Sequence, residues 1–188
     1  MPKIVDRDQY RKDLLSKCFD LFASKGYGSI TMRQIAEGLG VSTGTLYYYF
    51  SSKKALFEQL VEDISQQDVL KAAAELEGTE TLQERMEALG RFLVKNEDYW
   101  IKWTYIWVDF YQHQDSKKMR FNGAFKRTDE RYQRVTYSFL GIQNPLLASF
   151  VLSLLNGLIL ERLWGNEIVS PAEQCVLLGK MLTAYLEH

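Results

Sequence analysis

An all-α chain of nine helices is what this sequence predicts, and three observations predict it. Only three prolines occur in 188 residues, and runs of β-branched residues are scarce. Apolar positions recur at spacings of three and four, the repeat of a single helical face. Capping signatures and glycines punctuate the chain at helix-length intervals.

Composition bounds the rest. With 46% hydrophobic and 25% charged residues the chain reads as a soluble globular protein, with room for one sizeable domain and a small one. No uninterrupted apolar run reaches the roughly 18 to 20 residues of a membrane span, and no signal-peptide pattern opens the chain, so a cytoplasmic protein without a membrane partner is expected. Cys18 and Cys175 fall on different predicted helices and read as small buried hydrophobes in a reducing compartment. His113 has no cluster of Cys, Asp or Glu at ligand spacing, so neither a metal nor a cofactor is expected. Leu186-Glu187-His188 fits the stub of a cloning tag. The net charge of −1 is unevenly spread: residues 1–60 carry nine Lys+Arg against six Asp+Glu, and residues 61–188 carry fourteen against eighteen. A mildly basic head on an acidic body suits a protein that meets phosphates with one end.

In chain order, Asp6 with Gln9 caps a first helix to about Lys25, closed by Gly26, with Leu14, Leu15, Cys18, Leu21 and Phe22 on one face. Thr31 and Gln34 form a capping box, with Ile30 and Ile35 as its hydrophobic staple. Ser42 starts a third helix in the same way, between Val41 and Leu46. Gly38 and Gly40 lie between the two and suit the positive φ of a sharp turn, and Ala36 leaves room for a close crossing. This is a helix-turn-helix, the second helix of which enters a DNA major groove.

The stretch GVSTGTLYYYFSSKKALF resembles the recognition helix and following segment of the TetR family of bacterial transcription regulators. Gly40, Val41, Ser42, Gly44, Leu46, Tyr47, Phe50, Lys53 and Leu56 fill the family's pattern, and the specific resemblance covers about residues 7 to 60. It implies a three-helix DNA-binding head, residues 1–51, and a helical effector-binding and dimerisation body, residues 52–188. It further implies a homodimer on a palindromic operator, acting as a ligand-responsive repressor through an unidentified small-molecule effector. Ser42, Thr43 and Thr45 bring hydroxyls to the amino end of the recognition helix; Thr43, Thr45 and Tyr47 are expected on base edges or methyls. Tyr48, Tyr49 and Lys53, with Thr31 or Arg33, are expected on phosphates. Family members often carry Lys or Arg where Thr43 stands and His where Tyr49 stands, so no relative's operator transfers.

Ser52 caps a fourth helix to about Leu76 bearing Leu56, Leu60 and Ile64, broken by Gly78. Thr81 with Glu84 starts a fifth, to about Lys95. Tyr99 to His113 is the most aromatic segment, with Trp100, Trp103, Trp107 and Tyr111 on one face. A helix over Ser116 to Leu140 follows, with Phe121, Phe125, Tyr132, Val135 and Phe139 inward. Trp100, Trp103, Trp107, Tyr111, Phe121 and Phe125 are the candidate walls of an effector cavity, against the plainer reading that they are core. Asp109 reads as a solvated acid beside Lys102, or as the partner of a cationic ligand.

Asn144 and Pro145 open a helix to about Trp164, and Ser170 to Glu173 open the last. Residues 146–163 are apolar on nearly every side, so one face needs a second cover, most simply the same helix of a partner, with Gly157 permitting close approach. Val151, Leu154, Leu155, Leu158, Leu178, Leu182 and Tyr185 are the expected four-helix dimer interface, with Glu161 and Arg162 pairing at its rim. Two rival functions are a ligand-independent regulator whose body only dimerises or docks a protein, and a small-molecule carrier or enzyme with a vestigial head. No nucleophile–base pair, phosphate loop or metal spacing supports the latter, and an enzyme is not expected.

Overall fold

Local capping accounts for where most helices begin. The computed structural model describes residues 6–113, 123–141 and 143–187. Among these residues nine α-helices and no strand occur: α1 (Arg7–Lys25), α2 (Met32–Leu39), α3 (Thr43–Tyr49), α4 (Lys53–Leu76), α5 (Leu82–Lys95), α6 (Glu97–Gln112), α7 (Gly123–Leu140), α8 (Pro145–Leu163) and α9 (Pro171–Leu186). Thr31–Gln34 and Thr81–Glu84 close as reciprocal capping boxes. Asp6, Ser42, Ser52, Asn144 and Ser170 each accept the backbone N–H bonds that a helix start leaves open. Gln9 departs from expectation: its amide turns forward to Asp13 instead of back to Asp6. The expected helix over Ser116 to Leu140 is seen from Gly123; Ser116 and Phe121 lie outside the described residues.

The chain gathers into two compact units that do not follow a single cut after residue 51. The first comprises residues 1–66 and 105–128, the second residues 67–104 and 129–188, so α4, α6 and α7 each contribute to both. Aromatic packing explains why the start of α4 belongs with the head. Phe57, fully buried, stacks on Phe110 at 4.3 Å between ring centres and meets Phe22 edge-on at 5.3 Å. Tyr27 meets the same pair at 4.9 and 4.7 Å. Leu14, Leu15, Cys18, Leu56, Leu60 and Ile64 complete the buried interior.

In the second unit α5 and α9 make the closest crossing. A Cβ on Gly90 would lie 2.8 Å from the Cys175 Cβ and 3.0 Å from the Ala172 Cα, and one on Gly179 would lie 3.1 Å from the Met86 Cβ. Two absent side chains therefore set this interhelical distance. Around it Met86, Leu93, Leu140, Ala148, Val151, Leu158, Cys175, Leu178 and Leu182 form one core. By length and composition α8 also meets what a membrane span requires, contrary to the sequence expectation. Its Ala148, Val151 and Leu158 are buried in this core.

Candidate nucleic-acid interface and effector body

The turn between α2 and α3 is made by Gly40 alone, in the left-handed region at φ 68°. Gly38, expected to share that role, is helical; its missing side chain instead makes room for Leu21, whose Cδ2 would lie 2.6 Å from a Cβ there. Ile35, Ala36 and Leu46 are buried beneath the two helices, which fixes what remains outward. Arg33, Ser42, Thr43, Tyr47 and Tyr48 are exposed, and Thr45 and Tyr49 are half-buried.

Local bonding divides these side chains by duty. The Ser42 hydroxyl accepts the Thr45 N–H at 2.9 Å and pairs with the Thr45 hydroxyl at 2.8 Å. The Thr31 hydroxyl is held in its capping box, accepting from the Gln34 N–H and donating to its amide oxygen. Tyr49 packs toward Tyr10 of α1 at 5.6 Å and edge-on to Tyr48 at 5.0 Å, so part of its surface serves the head's own packing. The Arg7 guanidinium lies 4.6 Å from the Tyr48 ring centre, adding a cation beside α3 that the motif did not indicate.

Lys53 is turned inward. Its ammonium donates to the carbonyls of Tyr27 (2.6 Å), Ile30 (2.9 Å) and Gly28 (3.3 Å) and lies 4.6 Å from the Tyr27 ring centre. Burial lowers its pKa, opposed by the nearby Asp109 charge. The expected phosphate contact gives way to a structural one: Lys53 clamps the loop that leads into the helix-turn-helix. Asp109 grips the same loop, accepting the Gly28 N–H at 2.8 Å, and faces His113 at 3.5 Å. It is half-buried and bonded to this loop, not a free solvated acid beside Lys102.

The candidate cavity walls are distributed between the units. In the first, Trp107 lies 5.2 Å from Phe125 and stacks on Tyr111 at 5.4 Å, while Phe125 also meets Phe110 at 5.0 Å. Phe125 is packed aromatic core, Trp107 is half-buried and Tyr111 is exposed at the edge; the centre of the cluster, Phe110 with Ile106, was missed by the sequence reading. Phe121 lies outside the described residues. In the second unit Trp100 lines a cleft of about 10 Å³ beside Glu97 and Arg162, room for one water. A larger open groove of about 440 Å³ is lined by Ala73, Leu76, Thr79, Arg85, Ser138 and Phe139, none of them a predicted wall.

Trp103, 6% exposed, belongs to a polar network. Asp68 of α4 is 3% exposed and accepts the Tyr99 hydroxyl at 2.6 Å and the Tyr132 hydroxyl at 2.9 Å. The Trp103 side chain hydrogen-bonds Tyr132 in turn. Burial pushes the Asp68 carboxyl above its ordinary range, against the pull of the two phenols and of the Lys71 charge. Both phenols are raised, by burial first and by the adjacent carboxylate second.

The expected dimer face is corrected at four of its seven positions. Val151, Leu158, Leu178 and Leu182 are buried within the chain's own core, whereas Leu154 and Leu155 are half-buried and Tyr185 is exposed. The outward large apolar residues of α8 and α9 include Leu146, Phe150, Leu177, Met181 and Leu186, with Trp164 exposed just past the end of α8. Among the described residues nothing approaches the Cβ position of Gly157 within 4 Å. Arg162 does not pair with Glu161: it forks onto Glu97 with two 2.9 Å bonds, and Glu161 accepts from Asn166.

Comparison with known proteins bears on this arrangement. Residues 14–60 match the family described as bacterial regulatory proteins, tetR family. The biofilm operon icaADBC HTH-type negative transcriptional regulator IcaR of Staphylococcus aureus is 37% identical over 49 residues, 26% of each chain. The HTH-type transcriptional regulator BetI of Rhizobium meliloti is 27% identical over 121 residues, 64% of this chain and 60% of that one. The chain thus matches about a quarter of the length of the first relative and under two thirds of the second. Among solved structures, the transcriptional regulator FadR from Bacillus subtilis in complex with stearoyl-CoA aligns with TM-score 0.70 at 15% identity, over 91% of this chain and 96% of that one. A putative regulator from Saccharomonospora viridis in complex with choline aligns with TM-score 0.64 at 21% identity, over 97% of each. At these identities the structures establish the fold.

Proposed function

We infer, for a chain that belongs to the TetR family of bacterial regulatory proteins through its N-terminal head, sequence-specific DNA binding as a transcriptional regulator. The observation that carries this is the outward face of α3: Thr43, Tyr47 and Tyr48 stand exposed on a helix whose inner side, Leu46, is fully buried. A short helix so anchored presents hydroxyls and phenols to a major groove with few internal motions to lose. Thr43, Thr45 and Tyr47 read base edges in this proposal, and Arg33, Tyr48 and Tyr49 meet phosphates.

The protein acts as a homodimer in the cytoplasm, joined through Leu146, Phe150, Leu177, Met181 and Tyr185 on the outer faces of α8 and α9. Exposed apolar side chains on two neighbouring helices support this, since a monomer would leave them in water. Its output is repression relieved by a small effector in the body; the ligand complexes among the structural relatives support a responsive body. An effector that favours the form poorly matched to DNA, by displacing α4, lowers operator affinity. Selection of bound sequences from random duplexes tests the proposal. A palindrome with half-sites about one helical turn, 10 bp, apart is expected. A strictly monomeric protein, or one that prefers no duplex over competitor, overturns it.

A further inference from the structure

Arg7 is the first residue of α1, and its guanidinium lies over the Tyr48 ring of α3, 4.6 Å from the ring centre. The contact is not isolated. Tyr10, one turn further along the same face of α1, meets Tyr49 at 5.6 Å, and Tyr49 meets Tyr48 edge-on at 5.0 Å. Four side chains of the first compact unit thereby fasten the start of α1 to the end of the recognition helix. For stability the Arg7 contact brings little, because both residues are exposed and a cation over a ring is weak at an exposed site. What it fixes is the place of a charge. Among the described residues the guanidinium has no hydrogen-bond or ion-pair partner. Neighbouring acids do not take it up: Asp6 caps the helix, accepting from the Asp8 and Gln9 N–H groups, and Asp8 lies about 100° round the helix from Arg7. A ring holds an arginine by its face and leaves the N–H donors of its edge, the fork that matches a phosphate. Because Asp6 already fills backbone donors of the first turn, the side chain and not the helix end is what α1 offers an anion.

Resting on the reading that α3 enters a DNA groove, we propose that Arg7 is a DNA-binding residue: its guanidinium, presented from the Tyr48 ring, bonds a backbone phosphate beside that groove. Tyr48 then has two parts to play, its hydroxyl as a phosphate donor and its ring as the platform that positions the arginine. The contact reads no base, since phosphate oxygens carry no sequence. It gives α1, a helix outside the helix-turn-helix, a direct share in holding the head on its site.

The test titrates the full-length protein by anisotropy onto its selected operator and onto an unrelated duplex, each across a salt series. Each phosphate neutralised contributes about 0.9 to the slope of log affinity against log salt, so Arg7→Gln should flatten the slope by about 1.8 for two heads. Equivalently, wild type loses about 3.5-fold more affinity than the variant at each doubling of salt. Both duplexes should be weakened alike. Arg7→Lys keeps the charge and should restore the slope. Tyr48→Phe keeps the platform, so Arg7→Gln made on it should flatten the slope as fully as in wild type. Made on Tyr48→Ala, which lacks the ring, it should flatten the slope clearly less. The inference is overturned if Arg7→Gln leaves the slope unchanged, whatever its thermal midpoint does, for the residue is then at most a packing contact. It is overturned equally if Arg7→Gln alters only sequence preference, or if its effect is as large on Tyr48→Ala as on Tyr48→Phe. The two readings fail separately. A protein that selects an operator while Arg7→Gln keeps the slope loses only this inference. One that selects no duplex loses the regulator reading, and the slope on the unrelated duplex still judges Arg7.

Discussion

Replacing Lys53 by Met separates two roles for the residue that opens α4. The substitution removes three carbonyl contacts, the best of them 2.6 and 2.9 Å, and the ammonium near the Tyr27 ring, while keeping a stem of similar length. A hydrogen bond from a charged donor contributes about 1.5–3 kcal/mol where desolvated. Lys53 is half-buried and water can replace part of what is lost, so the three contacts together are taken as one such bond. With the ring contact, a loss of about 2–3 kcal/mol results. At roughly 2–4 °C per kcal/mol for a chain of this size, the thermal midpoint should fall by about 4–12 °C. DNA binding provides the discriminating assay. A lysine that neutralises a phosphate contributes about 0.9 to the slope of log affinity against log salt, or about 1.8 for a dimer with two heads. A clamp contributes nothing to that slope. Anisotropy titrations of Lys53→Met on an operator duplex across a salt series should therefore show weaker binding with an unchanged slope, beside a lowered midpoint. A slope flattened by about 1.8 at an unchanged midpoint would restore the phosphate role and refute the clamp.

Other perturbations reach the remaining parts of the molecule. Tyr47→Ala should weaken operator binding and blur sequence preference, measured by repeating the selection from random duplexes; uniform loss on every duplex would assign Tyr47 to the backbone. Gly90→Ala places a methyl 2.8 Å from the Cys175 Cβ and should destabilise by about 1–3 kcal/mol in a denaturant titration, an overpacking effect that an unchanged midpoint would contradict. Phe150→Glu puts a charge on the outer face of α8 and should yield folded monomers by sedimentation; persistence of dimers would move the interface elsewhere. Because the Asp68 carboxyl is raised in the folded chain, the folded protein holds that proton over a pH range in which the unfolded chain has released it. Its contribution to stability is therefore present at low pH and lost as pH rises from the ordinary carboxyl range through the folded value. Asp68→Asn should flatten this part of the profile of thermal midpoint against pH, and identical profiles would show that Asp68 does not titrate there.

Sequence legibility followed the range of the interactions concerned. The Thr31–Gln34 and Thr81–Glu84 boxes join residues three apart, and the residues named for them are those that bond. Buried stripes were readable on α1 and the start of α4, where apolar and polar faces differ. On α8 and α9 they do not. Val151 and Leu158 look inward and Leu146 and Phe150 outward, yet all four are large and apolar, so spacing could not say which pair faces solvent. Lys53 and Asp109 failed for a different reason. The N–H that Asp109 accepts belongs to Gly28, 81 residues away, and no local pattern encodes that pairing.

Asp68 stands between these cases, because a signal for it was present. Leu56, Leu60 and Ile64 descend the inner side of α4 at intervals of four, and the next step on that stripe is Asp68. An acid on an apolar stripe either ends the stripe or continues into the interior with partners. The sequence decides between these only if the partners are known, and Tyr99 and Tyr132 lie 31 and 64 residues onward. Tyr132 was read as part of an inward stripe and Tyr99 only as the start of the aromatic segment, which hid the hydroxyl that each carries inward. The same burial that conceals such a residue from pattern reading makes its charge consequential, since a desolvated carboxylate acts strongly on any cation that reaches it. The informative positions of this body are therefore those where a polar side chain interrupts an otherwise apolar register, more than those where large rings cluster.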